Sequence, residues 1–152
     1  MGKLTDRLAG QVLICRDTPI FIHQLEGNQA YLPLTQEILS GVESGRWQAI
    51  TSTITLMELT VPSWREKREE IARNYEALLA HFPNLELVDV TRDVARQAAR
   101  LRARFGLRPA DALQAAAGLV HGAGAIITND RNFDRLSELI EVIVLDDFVK
   151  RK

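Results

Sequence analysis

Val12-Leu13-Ile14-Cys15-Arg16-Asp17 is a short, largely apolar run that ends on an acid, and Ala125-Ile126-Ile127-Thr128-Asn129-Asp130 repeats the pattern late in the chain. Runs this short, bounded by turn residues or helix starts, read as buried strands of an α/β sheet. Asp17 and Asp130 therefore fall just past the C-terminal ends of two strands, the edge at which open parallel sheets bind ligands.

Outward from these runs, strand and helix signals alternate. A strand near 11–16 leads to a short helix from Pro19, a helix near 33–44, a strand near 48–51 and a helix that stops at Pro62. A charged helix from Ser63 to His81 follows, then a strand at 85–88, a helix from Arg92 to Phe105 closed by Gly106, and a helix from Pro109 to near Gly122. The strand ending at Thr128, a short helix and a strand at 142–145 complete the series, and Lys150, Arg151 and Lys152 read as a loose tail. Such alternation predicts a three-layer α/β/α sandwich with a short, mostly parallel central sheet.

Two further acids stand at element boundaries. Glu58 lies in Ser52-Thr53-Ile54-Thr55-Leu56-Met57-Glu58-Leu59, a capped helix start in which it interrupts an apolar face. Asp111 lies in Arg108-Pro109-Ala110-Asp111-Ala112-Leu113, a first turn opened by proline. Taken singly, Asp111 reads as an acid favoured by the helix dipole, Asp130 as the cap of Arg131-Asn132-Phe133-Asp134, and Asp17 as a turn residue. Carboxylates set into apolar elements need partners, and all four together can share one hard cation.

Asp17-Thr18, Thr53 to Leu59, Pro109-Ala110-Asp111-Ala112-Leu113-Gln114 and Ile127-Thr128-Asn129-Asp130-Arg131 resemble, in order and spacing, the acidic motifs of the PIN-domain ribonucleases. The likeness is greatest to the VapC-type toxins of toxin–antitoxin pairs and covers about Val12 to Leu145 of one domain spanning 1–152. The resemblance implies a Mg²⁺- or Mn²⁺-dependent endoribonuclease. Its catalytic and metal-holding acids would be Asp17, Glu58, Asp111 and Asp130, with Thr18 and Thr128 in support and Asp17 and Asp111 as direct ligands. It further implies a homodimer and a small antitoxin protein seated in an apolar groove; Ile20, Phe21, Leu25, Leu56, Leu59 and Val61 are material for such a groove, or simply fill the core. The chain departs from the family pattern at Pro19, where Asn or Ser is usual, and at Arg16, where an apolar residue is usual. A cation beside Asp17 is expected to compete with a metal for that carboxylate.

Composition agrees with one compact domain: 152 residues, 46% hydrophobic, suffice to bury about two-thirds of the unfolded surface around one core. A single cysteine, Cys15, excludes an internal disulfide, and no Cys/His spacing suits zinc. No apolar stretch is long enough for a membrane span, which fits a cytoplasmic protein. Net charge is only −1, so attraction of an RNA polyanion must be local. Arg92, Arg96, Arg100 and Arg104 recur every four residues, opposite Val94, Ala98, Leu101 and Phe105. They read either as a phosphate-contacting ridge or as a solvated face neutralised by Glu66, Glu69 and Glu70. Haloacid-dehalogenase-like phosphatases need a second acid where Pro19 stands, and receiver domains need a late lysine that the stretch from Lys67 to Lys150 lacks. Two other readings stay open: a PIN-like protein- or RNA-binding scaffold with weak or no catalysis, and an RNA-processing nuclease without an antitoxin.

Overall fold

The structure is a computed structural model that describes residues 2–149; the basic tail expected at 150–152 lies outside them. Strand β1 (Leu13–Arg16) is central, with β2 (Gln48–Ser52) and β3 (Leu85–Val88) on one side and β4 (Ala125–Thr128) and β5 (Glu141–Val144) on the other. Every pairing in the order β3-β2-β1-β4-β5 is parallel. Strand order reverses between β1 and β4, where Cys15 aligns with Ile126 and the Asp17 N–H reaches the Ile127 carbonyl at 3.0 Å. This is the switch point of the sheet, and the acids after β1 and β4 stand at its mouth.

Both faces of the strands are covered, so they read as continuous apolar runs. Ile14, Ala49, Leu85, Ala125 and Ile127 face one core, shared with α1 (Gly2–Leu8), α2 (Thr18–Glu26), α3 (Leu32–Glu43) and α5 (Glu69–His81). Cys15, Ile50, Val88 and Ile126 face the other, under α6 (Arg92–Phe105) and α7 (Pro109–Val120). These two helix layers and the sheet form the expected sandwich.

Helix α7 is built for close approach. Ala112, Ala115, Ala116, Ala117 and Gly118 are all buried. A Cβ on Gly118 would stand 3.0 Å from the Cys15 Cβ, so glycine sets how near the helix lies to β1. That proximity lowers the first turn of α7 onto the end of β1. Helix α6 ends at Gly106, whose φ of 68° is the left-handed conformation glycine adopts without strain.

Three expectations need correction. Helix α1 is not among the expected elements; of its residues whose burial is described, Leu4 and Leu8 alone are buried, both 0% exposed, too little periodicity to read from about two turns. Helix α4 (Thr53–Arg65) does not stop at Pro62, because proline's ring faces solvent and the Glu66 N–H closes on the Pro62 carbonyl at 3.0 Å. The charged helix expected from Ser63 begins instead at Glu69, after a break at Lys67, whose φ is 58°. No helix among the described residues is long and apolar enough to cross a membrane.

Candidate active site

Asp17 leaves the end of β1 and caps α2, its Oδ1 accepting from the Thr18 N–H at 2.8 Å. The Thr128 hydroxyl, at the end of β4, donates to Asp17 Oδ2 at 2.8 Å and accepts the Asp130 N–H at 3.1 Å. Thr18 and Thr128 thus hold the expected acid from both sides. The Thr18 hydroxyl in turn donates to Glu58 Oε1 at 3.0 Å, which ties the exposed carboxylate of α4 to the same place.

Beneath these acids lies a hub that sequence reasoning missed. Gln114, 1% exposed, accepts from the Ser52 hydroxyl at 2.5 Å and donates to Thr55 at 2.6 Å and Thr18 at 3.2 Å, with Asp17 Oδ1 at 3.4 Å. Each hydroxyl has one proton, and that fixes the directions. Thr51 donates to the Arg16 carbonyl at 2.7 Å and so accepts from Thr55, while Thr18 spends its proton on Glu58 and so accepts from Gln114. Ser52 also caps α4, accepting the Ile54 N–H at 3.2 Å. The available signal was Gln114 itself, a long polar side chain among alanines, which is costly to bury without partners.

The outer acids are held differently. Asp111, in the first turn of α7, and Asp130, which caps the 3-10 helix Arg131–Leu136, are bridged by Arg108 at 3.1 Å and 2.8 Å. The structure therefore links Asp17 to Glu58 through Thr18, Asp17 to Asp130 through Thr128, and Asp111 to Asp130 through Arg108. It does not gather them into a cage: among the described residues no group of three or more His, Cys, Asp or Glu side chains is spaced to hold a metal ion.

Burial pushes the Asp17 carboxyl up to about 6; hydrogen bonds from Thr128 and Thr18 oppose this, and the charges of Asp111 and Glu58 reinforce it. Burial also raises Asp111, against the pull of Arg108. A cation would relieve both penalties. The donors are all oxygens, the set preferred by Mg²⁺ and Mn²⁺, so the chemistry of the site fits the expected metal.

Arg16 does not compete for Asp17. Successive strand residues point to opposite faces, and its guanidinium lies over the Phe21 ring, 4.1 Å from the centroid, making no ion pair among the described residues. Arg92, Arg96, Arg100 and Arg104 are all exposed on α6, opposite buried Val94, Ala98 and Leu101. Arg96 pairs with Asp93 and Arg104 with Glu138. Of the glutamates expected to neutralise the stripe, Glu69 is engaged with Arg73 and Glu66 with Arg68. Of the apolar groove residues, Ile20, Phe21 and Leu59 are buried in the core, while Leu25 and Val61 are exposed.

A profile of the PIN domain matches residues 14–139, and the chain belongs to that family, a family of nucleases. Among solved structures, the fold is similar to a DNA-bound VapBC from Salmonella typhimurium, at 21% identity, with 88% of this chain and 98% of that chain covered and a TM-score of 0.66. It is similar also to a toxin-antitoxin complex from Klebsiella pneumoniae, at 21% identity, 88% and 97% coverage and a TM-score of 0.62. A member of the VapBC family of toxin-antitoxin systems from Mycobacterium tuberculosis matches at 25% identity, 88% and 98% coverage and a TM-score of 0.57. Comparison with curated proteins gives no match.

Proposed function

We propose that the chain is a divalent-metal-dependent endoribonuclease and the toxin of a toxin–antitoxin pair. The observation that carries this reading is Asp17: a buried carboxylate, pushed up to about 6, fixed at the switch point and facing other acids. A fold that confines like charges in this way is completed by a cation. Asp17 and Asp111 would hold it directly, and Glu58 and Asp130 directly or through water. The chemistry Mg²⁺ or Mn²⁺ supplies is a more acidic bound water and neutralised phosphoryl charge. The chain's own part is orientation: Thr128 and the Thr18 N–H fix the two oxygens of Asp17, and the Thr18 hydroxyl fixes Glu58, which orients the attacking water. The exposed arginines of α6 supply phosphate contacts.

For a protein partner, a groove of about 210 Å³ runs up to Glu58, lined by Ile22, Leu25, Leu59, Ile71 and Tyr75 together with the charged Glu26, Glu66 and Arg68. Beside it, Met57, Val61 and Trp64 recur at helical spacing on α4 and are 50%, 40% and 53% exposed. This apolar surface suits an antitoxin segment that brings a basic side chain to Glu58 and Asp17. We read the protein as a single cytoplasmic domain that works as a homodimer. Arg108 favours a second reading, a binding scaffold with weak catalysis, since it neutralises two of the four acids.

The test is incubation of purified protein with structured RNAs in Mg²⁺, Mn²⁺ or EDTA. Asp17→Asn is expected to lower cleavage by about 10²-fold or more while melting no lower than the parent in EDTA. Cleavage that survives this substitution or EDTA shows that these acids and their metal are not the catalytic centre, and no cleavage by the parent in either metal leaves the scaffold.

A further inference from the structure

Arg16 lies outside the acidic site and has no role in it. Its side chain is 0% exposed, and Nε, Nη1 and Nη2 are buried without a hydrogen-bond partner among the described residues. A guanidinium carries five N–H donors, and burying the cation with no acceptor is among the costliest arrangements a fold can hold. The Phe21 ring at 4.1 Å and the Phe82 ring at 5.8 Å offer cation–π attraction but no hydrogen-bond acceptor.

The same two rings form part of the wall of a mostly apolar cavity of about 280 Å³ between α2, α3 and α5, with Leu25, Leu39, Leu79 and Leu85 beside the polar Gln24, Gln36 and Ser40; Arg16 is not itself on the wall but stands against the two rings. That volume is at the small end of ligand sites. Glu43 is also on the wall, yet makes no ion pair with Arg16. Phe82 is half-buried and follows the last turn of α5 in extended backbone, with φ −65° and ψ 128°, so its ring hangs from neither helix nor strand.

We propose that this cavity binds a small apolar carboxylic acid, its tail among the leucines and its carboxylate on the Arg16 guanidinium once the Phe82 ring turns aside. One negative charge answers one buried cation; a doubly charged phosphate would bring a second charge into an apolar wall with no partner. A carboxylate also meets the planar fork of arginine with two parallel hydrogen bonds. Arg16 and Asp17 are neighbours in sequence but point to opposite faces of β1, so this site is separate from the acidic one.

Titration calorimetry of the full chain with octanoate and with 1-octanol tests the proposal. Octanoate is expected to bind, with octanol weaker by about tenfold or more, the value of one charge-assisted contact. Arg16→Met should bind the two alike, and Asp17→Asn should bind octanoate as the parent does. Leu39→Trp, which fills the cavity, should abolish octanoate binding and decides the matter if Arg16→Met does not fold. Absence of octanoate binding, equal affinity for the two probes in the parent, or octanoate binding undiminished in Leu39→Trp overturns the proposal. Capture of an acidic apolar peptide without any affinity for octanoate overturns it in favour of a protein partner.

Discussion

The inner and outer halves of the acidic site are held by opposite means. The inner half, Asp17 with Thr18, Thr55, Gln114 and Thr128, is buried, and almost every proton in it has an assigned acceptor. The outer half, Asp111 and Asp130, is held by one arginine whose side chain is 70% exposed. A buried, saturated network keeps its geometry whether or not a ligand is present, whereas an exposed ion pair contributes little stability and yields to a competing cation. The difference teaches that the floor of this site is prebuilt and its rim is exchangeable.

The contrast breaks most sharply at Gln114. Gln114→Leu leaves the Ser52 and Thr55 hydroxyls buried without their partner and is expected to cost about 2–4 kcal/mol, read by denaturant unfolding in EDTA. A loss indistinguishable from zero would show that the hub is ornamental. The floor is sharpened next by pH. Asp17 is pushed from 3.8 up to about 6, so between those values the folded chain holds a proton that the unfolded chain has released. Metal-free stability should therefore rise as pH falls through about 6, with the gain complete below 3.8, on the order of 3 kcal/mol. Asp17→Asn should flatten that rise, while Asp111, raised by burial too, leaves a remnant. Mn²⁺, which favours the charged form, should reverse it.

At the rim, Arg108→Gln should leave the melting temperature essentially unchanged and tighten Mn²⁺ binding several-fold, since it frees two acids. Weaker Mn²⁺ binding in this variant would make Arg108 part of the site rather than a stand-in for its cation. The smallest effect belongs to α6, far from both halves in chemistry. Arg96→Gln with Arg100→Gln should lower the slope of log affinity for RNA against log salt by about one per arginine, with no change in the metal dependence of cleavage.

The parallel sheet and its switch point were legible because Val12 to Asp17 and Ala125 to Asp130 each carry strand signal and terminus in one stretch. The alternating order of elements followed from the same punctuation. Where local signals conflict with packing, reading fails: a proline inside a helix usually breaks it, but here Pro62 is exposed while Leu59 and Ser63 on either side are buried, and α4 runs on past it. The acids were visible as residues, while their state was not. Nothing local tells that Arg108 reaches on from Asp111 to Asp130, or that Arg16 turns to Phe21 and Phe82 rather than Asp17, because Asp130 and Phe82 lie far from them in the chain. Gln114 shows the same limit, since its four polar neighbours come from β1, β2, α2 and α4 and their flanks.

The tight seat of α7 on β1 has a practical corollary. Cys15 is 0% exposed, its sulfur would stand 3.2 Å from a Cβ on Gly118, and burial pushes its thiol up to about 12. A thiol so shielded is inert to alkylation until α7 lifts from the sheet. Since the chain has one cysteine, its labelling rate is a clean clock for that single opening event, and α7 carries both Asp111 and Gln114. Slowed labelling on adding a metal, an RNA or a partner would record, without any engineered probe, how firmly that ligand pins the lid of the site to its floor.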